Sequence, residues 1–63
     1  MSTLKTEILR YLNDAGKSKL MAIANGLGKD KGNVYRYLQD LTNDGLISKE
    51  IIDGKAYYGA IKQ

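Results

Sequence analysis

Apolar residues recur at a helical period three times before Gly45 of this 63-residue chain, and the segment after Gly45 switches to β-branched and aromatic composition. A period near 3.6 aligns side chains along one side of a helix, whereas strands alternate every second residue, so the switch separates a helical part from a sheet part. Leu4, Ile8, Tyr11, Leu12 and Ala15 predict a first helix over about 3–15, with Ser2 or Thr3 as N-cap and Gly16 beyond its end. Leu20, Ile23, Ala24 and Leu27 predict a short second helix over about 19–27, started by a Ser18 cap. Gly28 permits a tight turn, Asp30 is a good cap, and Val34, Leu38 and Leu41 line one side of a third helix over about 30–43 that Gly45 stops.

Two runs, 47–52 and 55–61, flank Asp53-Gly54, a dipeptide suited to the two positive φ angles of a type I′ turn. A two-residue loop pairs Ile52 with Lys55, Ile51 with Ala56 and Lys49 with Tyr58. Ile47, Ile51, Ala56, Tyr58 and Ala60 then face the helices, while Glu50, Ile52 and Tyr57 face away. Residues 17–19 are placed to add a very short third strand. Asn25-Gly26 is a hairpin dipeptide elsewhere, but no alternating residues flank it, and it is read as the fraying end of the second helix. The expectation is an α+β fold in one domain spanning 1–63: three helices, then a hairpin that needs the helices to be stable.

The composition excludes several function classes. With no cysteine and no histidine, disulfides, the usual zinc-ligand sets and the common nucleophile–base pairs are all unavailable. Asp40 and Asp44, one helical turn apart, read as a solvated helix end, so no catalytic residue, metal site or cofactor is expected and the chain is not read as an enzyme. Lys5, Glu7 and Arg10 interrupt the most apolar N-terminal stretch, and no run approaches the roughly 20 residues that cross a bilayer. These features predict a cytoplasmic protein with no signal peptide and no membrane partner. A formal net charge of +3 biases it only mildly toward polyanions.

Leu20-x-x-Ile23-Ala24-x-x-Leu27-Gly28, followed by Val34-x-x-x-Leu38-x-x-Leu41-x-x-x-Gly45-Leu46-Ile47 and then Asp53-Gly54 and Tyr57-Tyr58, resembles the winged helix-turn-helix family. The resemblance covers residue 4 to about residue 60. In length and layout the chain is similar to small stand-alone regulators of bacterial, archaeal or viral type. The resemblance implies a transcription regulator that places its third helix in the major groove of double-stranded DNA and its hairpin wing on the backbone or in the minor groove. Lys31, Gly32, Asn33, Tyr35, Arg36 and Gln39 fall off the Val34/Leu38/Leu41 stripe and are the candidate base contacts. Lys17, Ser18, Lys19, Lys29, Lys49 and Lys55 are the candidate backbone contacts. A homodimer through helix 1 or the hairpin edge would add specificity by spanning half-sites about 10 base pairs apart.

Three other readings compete. Z-DNA-binding domains share this fold and use lysine, asparagine and tyrosine on the third helix with proline and tryptophan in the wing. Here the helix positions read Lys31, Tyr35 and Gln39, and proline and tryptophan are absent. A winged helix that binds protein without binding DNA would instead use Ile52 and Tyr57 as its contact surface. Five tyrosines invite stacking of single-stranded bases, but Tyr11 and Tyr58 fall on apolar sides and Tyr37 is expected half-buried beside helix 1, which leaves Tyr35 and Tyr57.

Overall fold

The computed structural model describes residues 3–61. In chain order the elements are α1 (Leu4–Ala15), α2 (Leu20–Leu27), α3 (Lys31–Asn43), β1 (Ile47–Ile52) and β2 (Lys55–Ala60). The three helices and the antiparallel hairpin match the expected α+β order, with helix and strand ends shifted by no more than a residue.

Each helix end has a physical cause. Thr3 is extended and its side chain accepts from the Thr6 N–H at 3.2 Å, which starts α1; the alternative cap, Ser2, lies outside the described residues. Asp30 starts α3 by accepting from the Asn33 N–H at 3.1 Å. Gly28 closes α2 at φ +64, a left-handed conformation that L side chains avoid, and its N–H returns to the Ala24 and Asn25 carbonyls. Ser18, however, does not cap α2. Its backbone exchanges hydrogen bonds with Tyr58 at 2.9 and 2.8 Å, and its hydroxyl donates back to the Gly16 carbonyl at 2.9 Å. Held in that bridge, the side chain points away from α2, whose N-cap is Lys19, without a side-chain bond. The bridge is the third-strand contact expected of residues 17–19, reduced to a single pair.

Asn25-Gly26 is not a frayed end either, because α2 stays helical through Leu27. Gly26 is where α1 crosses. A Cβ there would lie 2.4 Å from Tyr11 Cε2, and the Tyr11 hydroxyl donates to the Ala22 carbonyl at 3.3 Å. The missing side chain therefore makes room for an aromatic ring.

The hairpin has the expected register, from Ile47 opposite Ala60 to Ile52 opposite Lys55. Asp53 at φ +52 and Gly54 at φ +77 form the turn, both in the positive range that a type I′ geometry demands. Ile47 and Tyr58 are buried against the helices. Ile51, assigned to the same face, is 61% exposed: it sits next to the turn, where the hairpin runs past the helices and has nothing to cover it.

The core is a cluster of Ile8, Leu12, Ile23, Ala24, Val34, Leu38, Leu41, Ile47 and Tyr58, to which every element contributes. Apart from the Tyr58 phenol the cluster is apolar, so apolar burial is the main source of its stability. Tyr11 packs partly buried against this cluster, and Tyr37 on α3 is 37% exposed, close to the half-buried placement expected of it.

Replacing glycine by alanine inside a helix ordinarily stabilises it by up to about 1 kcal/mol. Gly26→Ala is expected to do the opposite and lower stability by about 1 kcal/mol or more, because the new methyl must displace the Tyr11 ring. A urea midpoint equal to or above that of the unaltered protein would show that the crossing at Gly26 is not tight.

Candidate nucleic-acid interface

α3 has two unlike sides. Val34, Leu38 and Leu41 are completely buried, while Lys31, Gly32, Asn33, Tyr35 and Arg36 are exposed on the other side, where the helical period predicts them. Gln39 departs from that group. It is half-buried, and its Nε2 donates to the Tyr35 hydroxyl at 2.6 Å, so the side chain lies along the helix rather than projecting from it.

The positive side chains cluster toward the N-terminal half of this surface. Lys29, Lys31 and Arg36 are exposed there, and Asp40 and Asp44 are exposed toward the other end. The helix N-terminus itself is less open to an anion than its lysines suggest, because the Asp30 carboxylate already accepts from the Asn33 N–H. Gly32 serves this cap: a Cβ there would lie 3.0 Å from Asp30 Oδ2.

The start of α2 and the hairpin form the flank. Lys17 forms an ion pair with Glu50 of β1. To get there its stem crosses β2 over Gly59, where a Cβ would lie 3.1 Å from Lys17 Cγ. Lys19 is exposed with its ammonium 6.0 Å from the centre of the Tyr57 ring. Tyr57 is half-buried beneath it and is not a free stacking platform. Lys49 and Lys55 are exposed on the hairpin. Tyr58, between these parts, has its phenol pushed above the usual tyrosine range, first by burial and then by the neighbouring Tyr35.

All of the expected contact residues except Gln39 and the partly covered Ser18 thus reach solvent. The sequence places Glu50 on the outward face but gives it no part in the site, and it does not single out Gly59. The hairpin register places both on the outer face of the sheet, but Lys17 meets them only because the Ser18–Tyr58 bridge brings the connection alongside β2. Among the described residues, no three histidine, cysteine, aspartate or glutamate side chains form a metal-sized group, and no helix is long and apolar enough to cross a membrane.

Known proteins place this arrangement. The family model described as the IclR helix-turn-helix domain matches residues 6–50, well over half of the chain, and stops within β1. Among solved structures, the Zalpha domain of PKZ from Carassius auratus, determined in complex with Z-DNA, superposes with a TM-score of 0.84 at 24% identity over 92% of each chain. The antimony-specific transcriptional repressor AntR superposes with a TM-score of 0.79 at 18% identity, covering 89% of this chain and 50% of its own. No curated protein sequence matches the chain. At those identities the two structures speak for the fold, the winged helix-turn-helix, including the hairpin that lies largely beyond the family match. The chain belongs to the IclR helix-turn-helix domain family, a winged helix-turn-helix of the DNA-binding regulator class.

Proposed function

We propose that this domain binds double-stranded DNA sequence-specifically as a transcriptional regulator, with α3 in the major groove and the hairpin on the flanking backbone or minor groove. The observation that carries the reading is the division of α3: its apolar stripe is completely buried while Lys31, Asn33, Tyr35 and Arg36 stand exposed together on the opposite side. A protruding helix of this kind fits a groove about 12 Å wide. Arg36 is suited to paired hydrogen bonds with guanine and Asn33 to adenine, with Lys31 and Gly32 at the point of closest approach. Lys17, Ser18 and Lys19 at the start of α2, with Lys29, Lys49 and Lys55, serve the phosphates.

A second reading draws on the Zalpha neighbour, whose partner was left-handed DNA. Here neither the proline nor the tryptophan of that family's wing is present, which favours the right-handed duplex. Two copies on half-sites about 10 base pairs apart would compensate for the small footprint of one. Because Ser18 bridges to β2, the hairpin edge left for a second copy is β1; α1 is the other surface open to it.

Selection from a random duplex library followed by footprinting tests the reading, with a left-handed CG-repeat duplex as competitor. Enrichment of a defined site supports it; preferential retention of the competitor favours the second reading, and no retention of either refutes both. With about four phosphates neutralised per copy, log affinity is expected to fall against log salt with a slope of about −4. Arg36→Ala is expected to weaken binding to the selected site more than to unrelated duplex, and Lys55→Ala to weaken both alike; equal losses for Arg36→Ala would remove it as a base reader.

Glu50 holds Lys17 away from phosphate in the free protein. Glu50→Gln is therefore expected to raise affinity severalfold and steepen the salt dependence by about one counterion. Unchanged affinity would show that Lys17 lies outside the contact.

A further inference from the structure

A glycine inside a strand packs nothing and weakens the strand, so its presence calls for a local reason. Gly59 lies within β2 opposite Ser48, and its φ is outside the positive range that would demand glycine. It is nevertheless buried, although the register puts it on the face of the sheet turned away from the core. The space its side chain would fill is taken by Lys17. A Cβ there would lie 3.1 Å from Lys17 Cγ and 4.0 Å from both Lys17 Cα and Ser48 Oγ.

The crossing has two anchors. At its start Ser18 exchanges backbone hydrogen bonds with Tyr58, the residue before Gly59, at 2.9 and 2.8 Å, which sets the Lys17 backbone beside β2. At its end Lys17 Nζ is paired with Glu50 Oε1. Glu50 belongs to β1, so a lysine entering from the β2 side reaches it only by passing over β2. Of the outward residues there, Tyr57 fills its own place with a ring, and Gly59 leaves the gap. An exposed ion pair is too weak to fix a long side chain by itself, whereas a stem bedded in that gap is held along its length.

We propose that Gly59 is a positioning residue: by lacking a side chain it gives Lys17 its path to Glu50, and so sets how far that lysine is free to meet a DNA phosphate. The inference rests on the duplex-binding reading above. It adds to Glu50 a second control on the same lysine, one that carries no charge.

The experiment is a double-mutant cycle of Gly59→Val and Lys17→Ala. It is read first in the free protein, by thermal midpoints and NOEs, and then by fluorescence anisotropy on a mixed-sequence duplex. Valine suits a strand, so its conflict is with the Lys17 stem. In the unaltered protein an NOE is expected between the Lys17 γ-methylene and the Gly59 α-protons. Gly59→Val is expected to bind duplex about two- to fivefold more tightly although the net charge is unchanged, because binding no longer has to break one exposed ion pair. On the Lys17→Ala background the same change is expected to leave affinity where Lys17→Ala set it. Gly59→Ala, whose methyl asks the stem to give only a few tenths of an ångström, is expected to show a smaller gain in the same direction, and decides the matter if the valine variant fails to fold. The proposal falls if the NOE is absent, or if neither Gly59 variant binds more tightly than the unaltered protein. It also falls if Gly59→Val lowers the thermal midpoint equally with and without the Lys17 side chain, which would make Gly59 a seat for the connecting backbone alone. Failure of the unaltered protein to bind any duplex would instead overturn the functional reading, and the free-protein measurements would still decide whether Gly59 holds Lys17.

Discussion

Val34, Leu38 and Leu41 hold α3 in place, and everything else in the molecule depends on that grip. The helix is in contact with α1, α2 and β1, and the three side chains are fully withdrawn from water. Burial of each is worth about 1.5–3 kcal/mol, which makes one short stripe a large part of the stability available to a domain of this size. The same stripe sets the rotation of α3 about its own axis. Because the opposite side lies half a turn away, a well-packed stripe also fixes which polar residues project, and core packing and recognition become two consequences of one interaction.

Tyr58 extends that constraint to the hairpin. A two-stranded sheet is marginal by itself, and this one becomes stable by placing Ile47 and Tyr58 in the helical core. Tyr58 also pairs through its backbone with Ser18, so the start of α2 and the middle of β2 are held together. The Lys17–Glu50 ion pair and the placement of Lys19 over Tyr57 follow from that bridge, although each is exposed and contributes little to stability. Their importance is positional: they decide where the flanking lysines stand relative to α3.

The repetitive parts of the fold were legible in the sequence because repetition averages over local exceptions. Three helical stripes, the Asp30 cap, the Asp53-Gly54 turn and the strand register all rest on period or on one well-defined backbone geometry. What was not legible depends on contacts between distant residues. Ser18 looks like a cap until Tyr58 claims its backbone, and Gly26 looks like a frayed end until the Tyr11 ring crosses it. Ile51 has the right register for burial but lies beyond the reach of the helices. Within the site, period identified the exposed side of α3 but could not separate Gln39 from its neighbours, because a side chain lying along the helix and one projecting from it have the same spacing.

The electrostatics set a further condition on how such a surface can work. A net charge of +3 is too small for affinity by bulk attraction, and part of the positive charge is already engaged: Lys17 by Glu50, and the N-terminus of α3 by Asp30. On the proposed docking the Lys17–Glu50 pairing would be exchanged for a phosphate contact, which lowers non-specific attraction more than binding at a site where the replacement contact is well placed. On the proposed docking, the domain gains discrimination by keeping its charges partly occupied, and weak binding by a single copy is the physical consequence that a second copy on an adjacent half-site would offset.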